Sequence, residues 1–598
     1  MQKQDLKTPP GDKPRQNPEP SDLTGNHPEE TGRSGIKAPR KRPPAAAAAA
    51  AVVVLAVLIL FRFLPSSKHM APEEYFGISD ENDVAVIING ELQETGGRLI
   101  DSASYLPYET VHSLINPSVY YDEGASSLIV TIPSEKRVYP IKDGRGLDGR
   151  AVTEDGQLYI AADYLVEIMG IDLHLYEEPN RQVVRTNGTY RVCTFKKNHP
   201  VRYRAGIKSP VIRDMEKGDE AWVLDLDEDG NELPSKVKGW VYVSTYNGYT
   251  GYVRENALEE TGTETLDKED PFGEWTAADP GLDGKVNMAF HQTDNTASNR
   301  ALTEMLKGVE GVNVIAPTWF YLDSTSGDVK SVADETYVKE AHKAGLKVWA
   351  VLNDFDGNLG SADETSAFLH SYEARTAVIK TVTDAVKAVG ADGINVDIEL
   401  VRKTSADAFA EFLRELSVVC RNESLVLSVD TYVPLFTRYL NRSEQARVVD
   451  YIVTMCYDEH TGSSEEAGSV SSLPFVEKAI RQSLTEIPKE KLVIALPFYT
   501  RIWTTENGVL TECRTLGMTG AEKQAEELGM EPAWDEETGQ YYGESKEGET
   551  LRQVWLEEER SLEEKMKLIR TEDCAGVAEW KLGMEKPDVW KVIQQYLA

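Results

Sequence analysis

Cysteine is scarce in this chain. Cys193, Cys420, Cys456, Cys513 and Cys574 are the five in 598 residues; their number is odd and no two form a C-x-x-C pair, which argues against a disulfide framework and against a zinc site. Positive charge is also in deficit. Lys and Arg number 64 against 99 Asp and Glu, a net charge of −35, which argues against nucleic acid as a partner because phosphate binding needs clustered cations. The same balance fits a neutral or cationic partner, and it serves equally to keep an exposed domain soluble. His112 and His174 stand isolated, and no spacing of ligand residues suggests a bound metal, so neither metal nor other cofactor is expected. Apolar residues are not lacking. At 41% of the chain, with 10 Trp, they mark a globular protein, and the length allows about three or four domains of about 150 residues each.

Long apolar runs are absent but for one. Residues 45–61, "AAAAAAAVVVLAVLILF", are seventeen apolar residues in succession, at the lower limit for a helix that spans a bilayer. Arg40, Lys41 and Arg42 precede it, and residues 1–44 carry nine Lys and Arg against six Asp and Glu. The positive-inside bias predicts a disordered cytoplasmic tail over 1–44, a single transmembrane signal anchor over 45–64, and everything beyond it outside the cell membrane. A cleaved signal peptide is the alternative, although 44 polar residues are a long lead for one. No cysteine follows the run to take a lipid.

Residues 83–188 contain a repeat. "YLPYETVHSLINPSVYYDEGASSLIV" from Tyr105 aligns with "YIAADYLVEIMGIDLHLYEEPNRQVV" from Tyr159, each reading as strand, amphipathic helix, strand, turn and strand. The segment resembles the small α+β module named for the N-terminal domain of copper amine oxidases, without any copper site. In residues 189–258, "GWVYVSTYNGYTGYVRENAL" reads as a hairpin turning at Asn247-Gly248, a pair that tolerates positive φ. With the upstream "EAWVLDLDEDG" it resembles a bacterial SH3-like barrel. Residues 259–280, acidic and containing Gly and Pro, read as a linker.

From residue 281 to 598, strand-like runs alternate with helical patterns. The strands are "KVNMAF", "VNVIAPTWFY", "KVWAVLND", "DGINVDIE", "SLVLSVDTYV", "DYIVTMCYD", "KLVIALPFY" and "GVAEWKL", the count for an α/β fold of the (β/α)8 TIM-barrel type. The long gap before the eighth strand holds "GQYYGESKEGETLRQVWLEEE", which reads as a small α+β insertion. In the fourth run, Asn395, Asp397 and Glu399 alternate with Ile394, Val396 and Ile398. The polar row therefore faces the barrel axis, with Glu399 nearest the C-terminal rim where barrel active sites lie. Neighbouring buried carboxylates push one pKa upward, and a carboxylic acid held protonated at a cleft rim is what general-acid cleavage of a glycosidic bond requires.

These residues carry a resemblance. "DGINVDIE" is similar to the DGxDxDxE signature of glycoside hydrolase family 18, the chitinase-like family, and the similarity runs through most of residues 283–598. "MCYD", from Met455 to Asp458, resembles the family's MxYD on its sixth strand, and "AEWKLG" supplies Trp580 where the family has a tryptophan on its eighth. Asn395 departs from the pattern, standing where the family has its first aspartate. The branch of bacterial wall and spore-cortex hydrolases shares that replacement and also carries small N-terminal modules.

The resemblance implies a retaining, substrate-assisted mechanism, in which the substrate's own 2-acetamido oxygen attacks the sugar. Glu399 would protonate the leaving oxygen and then deprotonate water; Asp397 would orient the acetamide; Tyr457 would donate a hydrogen bond to it. Asn395, Asp458, Trp580 and Met455 would complete the substrate site, Trp580 as an apolar floor under the sugar. The implied partner is an N-acetylglucosamine polysaccharide, peptidoglycan first, with chitin-like or glycoprotein glycans as alternatives. A catalytically inert carbohydrate-binding barrel, or a wall-assembly scaffold built on the N-terminal modules, are the readings from other classes.

Overall fold

A computed structural model describes residues 64–224, 237–268, 275–355 and 357–597. The tail and the apolar run predicted as an anchor lie outside the described residues. Among the described residues no helix is long and apolar enough to cross a membrane.

All eight predicted barrel runs form strands: Val286–His291, Val314–Leu322, Lys347–Asn353, Gly393–Asp397, Val426–Tyr432, Tyr451–Met455, Leu492–Pro497 and Gly576–Trp580. Each pairs in parallel with the next, and the eighth returns to the first, so the barrel closes. Period-two alternation divides the strand side chains between two cores. Met288, Phe290, Val314, Trp349, Val351, Val426, Val453, Val493, Ala495 and Ala578 fill the interior. Ile315, Val348, Ile394, Val396, Val429, Ile452, Ile494 and Val577 face outward and pack with helix residues such as Val378, Phe412 and Met566. The helix before the fourth strand, Tyr372–Val389, starts where the Ser371 hydroxyl accepts from the Ala374 N–H and stops at Gly390, whose φ of 74° ends a helix at little cost. The helix after that strand, Ala406–Asn422, presents a wide buried face.

The insertion is larger than its hairpin signal. Gln540–Glu547 and Thr550–Leu556 do form the hairpin, but Tyr499–Glu506, Val509–Gly517 and Ala533–Asp535 complete a five-stranded antiparallel sheet beside the helix Met518–Glu527. It has its own core of Ile502, Ala521, Ala525, Met530, Val554 and Leu556. A buried ion pair between Lys565 and Glu557, 2.5 Å, with Gln540 donating to the same carboxylate, ties the insertion to a barrel helix.

In the N-terminal region both repeat copies show one order of elements. Ala103–Pro107, Tyr108–Leu114, Val119–Asp122 and Ser127–Ile132 are followed by Gln157–Ala161, Ala162–Ile168, Asp172–Tyr176 and Arg181–Arg185. Strand, helix, strand and strand recur. The next sheet has seven strands, including the hairpin Trp240–Thr245 and Thr250–Arg254. Its turn differs from expectation: Gly248 alone takes a positive φ, 88°, so a four-residue connection with one left-handed position replaces a two-residue Asn-Gly turn.

The expected linker over 259–280 is corrected at both ends. Leu258–Leu266 is a strand paired along Gly188–Phe195 across a bulge. Its acidic sequence hid it, because the residue that fixes it is polar: Glu264 accepts from Trp222 Nε1 and Tyr246 Oη, both at 3.1 Å, and pairs with Arg185 at 3.1 Å. Farther on, Trp275 is buried beneath the Arg421 guanidinium, 4.6 Å from its ring, and the Ala278 N–H donates to Asp450.

The repeat module and the barrel share an interface. Arg375 pairs with Asp122 of the module at 3.0 Å and with Glu415 at 2.9 Å, all three fully buried. Thr131 donates to Glu411, Lys136 pairs with Glu415, and Arg447 donates to Ser118. Tyr120 and Ile129 join the outer apolar core of the barrel itself.

Candidate active site

The fourth strand ends at Asp397, so Glu399 stands two residues beyond it, on the loop at the C-terminal rim. Asn395 and Asp397 are buried on the inner face, and Glu399 is half-buried. The loop does not hang free. Asp354, at the end of the third strand, accepts the backbone N–H groups of Glu399 and Leu400 at 2.9 and 3.1 Å and the Thr365 hydroxyl at 2.7 Å. Burial pushes the Asp354 carboxyl above its ordinary pKa, and those three donors pull it back. Asp354 thus fixes the backbone of the rim carboxylate.

The fifth strand supplies three inward side chains that faced no functional expectation. Ser428 donates to Asn395 Oδ1 at 2.6 Å, while Asn395 Nδ2 donates to Asp430 Oδ2 at 2.7 Å. Tyr432 donates its hydroxyl to Glu399. Burial holds the Asp430 carboxyl well above the carboxylate range; the Asn395 amide opposes it, and Glu399 adds a smaller push in the same direction as burial. The signal was in the sequence: Ser428, Asp430 and Tyr432 alternate in "LSVDTY" as Asn395, Asp397 and Glu399 do in the strand beside it.

Tyr457 and Asp458 follow the sixth strand, whose last residue, Met455, is buried. Burial raises the Tyr457 hydroxyl far above its ordinary pKa, reinforced by Asp397, Tyr499, Asp430 and Glu399, so it remains a donor at all working pH. Asp458 adopts a φ of 58°, a left-handed position that aspartate tolerates better than most residues. Tyr499 donates to it at 2.5 Å and Arg501 pairs with it at 2.8 Å, both from the first strand of the insertion. The insertion therefore holds Asp458 in place. Trp580 ends the eighth strand, half-buried over the interior core beside Phe290, 5.4 Å between ring centroids.

The structure thus brings Asn395, Asp397, Glu399 and Tyr457 together at one end of the barrel, with Asp458 beside them, Trp580 and Met455 on neighbouring strand ends, and Asp354, Asp430, Tyr432, Tyr499 and Arg501 as supports. Among the described residues no three His, Cys, Asp or Glu side chains form a group fit to hold a metal ion. A sequence profile of glycosyl hydrolases family 18 matches residues 272–585, just over half of the chain. The chain belongs to glycosyl hydrolase family 18. It is a glycoside hydrolase, and the match spans all eight barrel strands and the insertion, stopping before the last helix, Val589–Leu597. Among family relatives of Bacillus subtilis (strain 168), the uncharacterized glycosylase YvbX is 24% identical over 322 residues, 51% of this chain and 90% of that protein. The cortical fragment-lytic enzyme is 26% identical over 249 residues, 40% of this chain and 57% of that protein. A crystal structure of the Bacillus cereus spore cortex-lytic enzyme SleL aligns with a TM-score of 0.48 at 17% identity, covering 57% of this chain and 78% of that one.

Proposed function

We propose that this family 18 hydrolase cleaves β-1,4-linked N-acetylglucosamine glycans, peptidoglycan first among them, with retention of configuration and the substrate's acetamido oxygen as nucleophile. The observation that carries the reading is Glu399: a half-buried carboxyl at the rim, its backbone held by Asp354 and its side chain by Tyr432. Glu399 protonates the leaving oxygen and then takes a proton from water. Asp397, buried beneath it, orients the acetamide N–H and balances the positive charge that develops on the sugar. Tyr457 donates to the acetamide oxygen, Asp458, held by Tyr499 and Arg501, helps to position it, and Trp580 floors the distorted ring, with Asn395 and Met455 behind. Peptidoglycan is favoured over chitin by two features: Asn395 in place of the first aspartate, and the similarity to an enzyme named for cortical fragments. The apolar run at 45–61 and the charge asymmetry around it support a single-pass anchor with the catalytic region outside the cell. The two N-terminal modules then serve as contacts with the wall.

The test is release of reducing N-acetylglucosamine ends by residues 66–598 from purified peptidoglycan and from chitin oligomers, beside Glu399→Gln. Release from peptidoglycan that the variant lowers by about 10²–10⁴ supports the proposal; release from chitin alone moves the substrate to chitin, and release that survives Glu399→Gln removes the acid from its role.

A further inference from the structure

The family signature loses a carboxyl at Asn395, yet the barrel interior has not lost one. Asp430 lies on the adjacent strand, 95% buried, and accepts from the Asn395 amide at 2.7 Å. Its other oxygen, Oδ1, is fully buried and has no hydrogen-bond partner among the described residues. The groups that face it are Asn395 from the fourth strand, Glu399 from the loop above, and Tyr457 from beyond the sixth. No cation faces it. An ionised carboxylate with one neutral donor, one bare oxygen and an acidic neighbour is costly in such a place, whereas a carboxylic acid is not.

We propose, building on the glycosidase reading above, that Asp430 is a positioning residue: held as the neutral acid, it clamps the Asn395 amide from the neighbouring strand and so fixes the floor beneath Asp397 and Glu399. Ser428 fixes the carbonyl side of Asn395 and Asp430 fixes the amino side, so the amide cannot flip. The Ser428–Asn395–Asp430 row beneath the reacting sugar is then rigid and carries no charge of its own. Asparagine at 430 can accept the same bond without a charge; alanine cannot.

The experiment measures kcat, KM and the pH profile of Asp430→Ala and Asp430→Asn on the substrate cleaved by the parent, with Glu399→Gln alongside. Asp430→Ala is expected to lose about tenfold to a hundredfold in kcat, the cost of slight misplacement in a reaction centre, with little change in KM. Asp430→Asn is expected to recover most of that loss and to keep the parental pH profile. An asparagine variant as impaired as the alanine one assigns the role to charge, and an alanine variant at the parental rate assigns no role; either result overturns the proposal. Activity surviving in Glu399→Gln would sink the glycosidase assignment of Glu399 instead, and the state of Asp430 is then read from melting temperatures. In the unfolded chain Asp430 ionises near its ordinary pKa, while the fold holds its proton to higher pH. The parent must therefore lose stability relative to Asp430→Asn as pH rises through that window. A difference between the two that stays constant from pH 5 to 8 overturns the neutral-acid assignment.

Discussion

Tyr432, at the end of the fifth strand, donates to Glu399 beyond the neighbouring fourth, and that bond carries a pH prediction. A donor favours the ionised carboxylate, so removing it raises the carboxyl pKa. Tyr432→Phe should move the alkaline limb of the pH–rate profile upward, since the acid then keeps its proton longer; a limb that stays or moves down would contradict the bond. Asn395→Asp, a change toward the family pattern, would place two carboxyls at the 2.7 Å contact now made by an amide and Asp430. They must share a proton, so the pH optimum should shift while product configuration stays the same, as product analysis by NMR would record. The row Asn395, Asp397 and Glu399 was legible because three polar side chains at period two inside an apolar run have few explanations other than a site. Asp430 and Tyr432 carry the same pattern, but a strand flanked by Ser and Thr reads as ordinary strand chemistry. Only the register of two adjacent strands turns the two rows toward each other.

At the scale of elements, the barrel strands were legible for their near-continuous apolar runs, which parallel strands covered on both sides require. The strand Leu258–Leu266 was not, because its pairing rests on backbone bonds and on Glu264 rather than on an apolar face. The insertion was legible only as its hairpin, since the strand from Tyr499 continues directly from the seventh barrel strand with no punctuation but Pro497 and Phe498. The helices Tyr372–Val389 and Ala406–Asn422 meet the module through Arg375, which no periodicity could reveal. Arg375→Met removes one partner from two buried carboxylates, Asp122 and Glu415, and should cost about 3–5 kcal/mol. Equilibrium denaturation in urea checks this, with Lys380→Met, whose partner Asp384 is exposed, expected to leave the midpoint nearly unchanged.

For the whole molecule, the interface changes what a truncation can mean. Removing residues 83–258 asks whether the modules matter for activity or only for attachment. It would also strip Asp122 from Arg375, Thr131 from Glu411 and Ser118 from Arg447, and uncover apolar surface now shared with Tyr120 and Ile129. A barrel beginning at residue 281 should therefore melt well below the 66–598 protein, and it should be cut by proteases in the helices that flank the fourth strand. Lost activity in such a fragment would report lost packing, whatever the modules do in the wall. Point substitutions on the outward faces of the modules separate the two effects.

The three strands Val119–Asp122, Ser127–Ile132 and Glu135–Pro140 rest on the helix that begins just after the Glu399 loop. Coupling of this kind is mutual: a glycan that stills the loop must also quiet whatever leans on the helix behind it. Amide hydrogens in those strands, on the far side of the helix layer from the cleft, should then exchange more slowly when the cleft is full, making the module a gauge of occupancy read from behind the barrel wall.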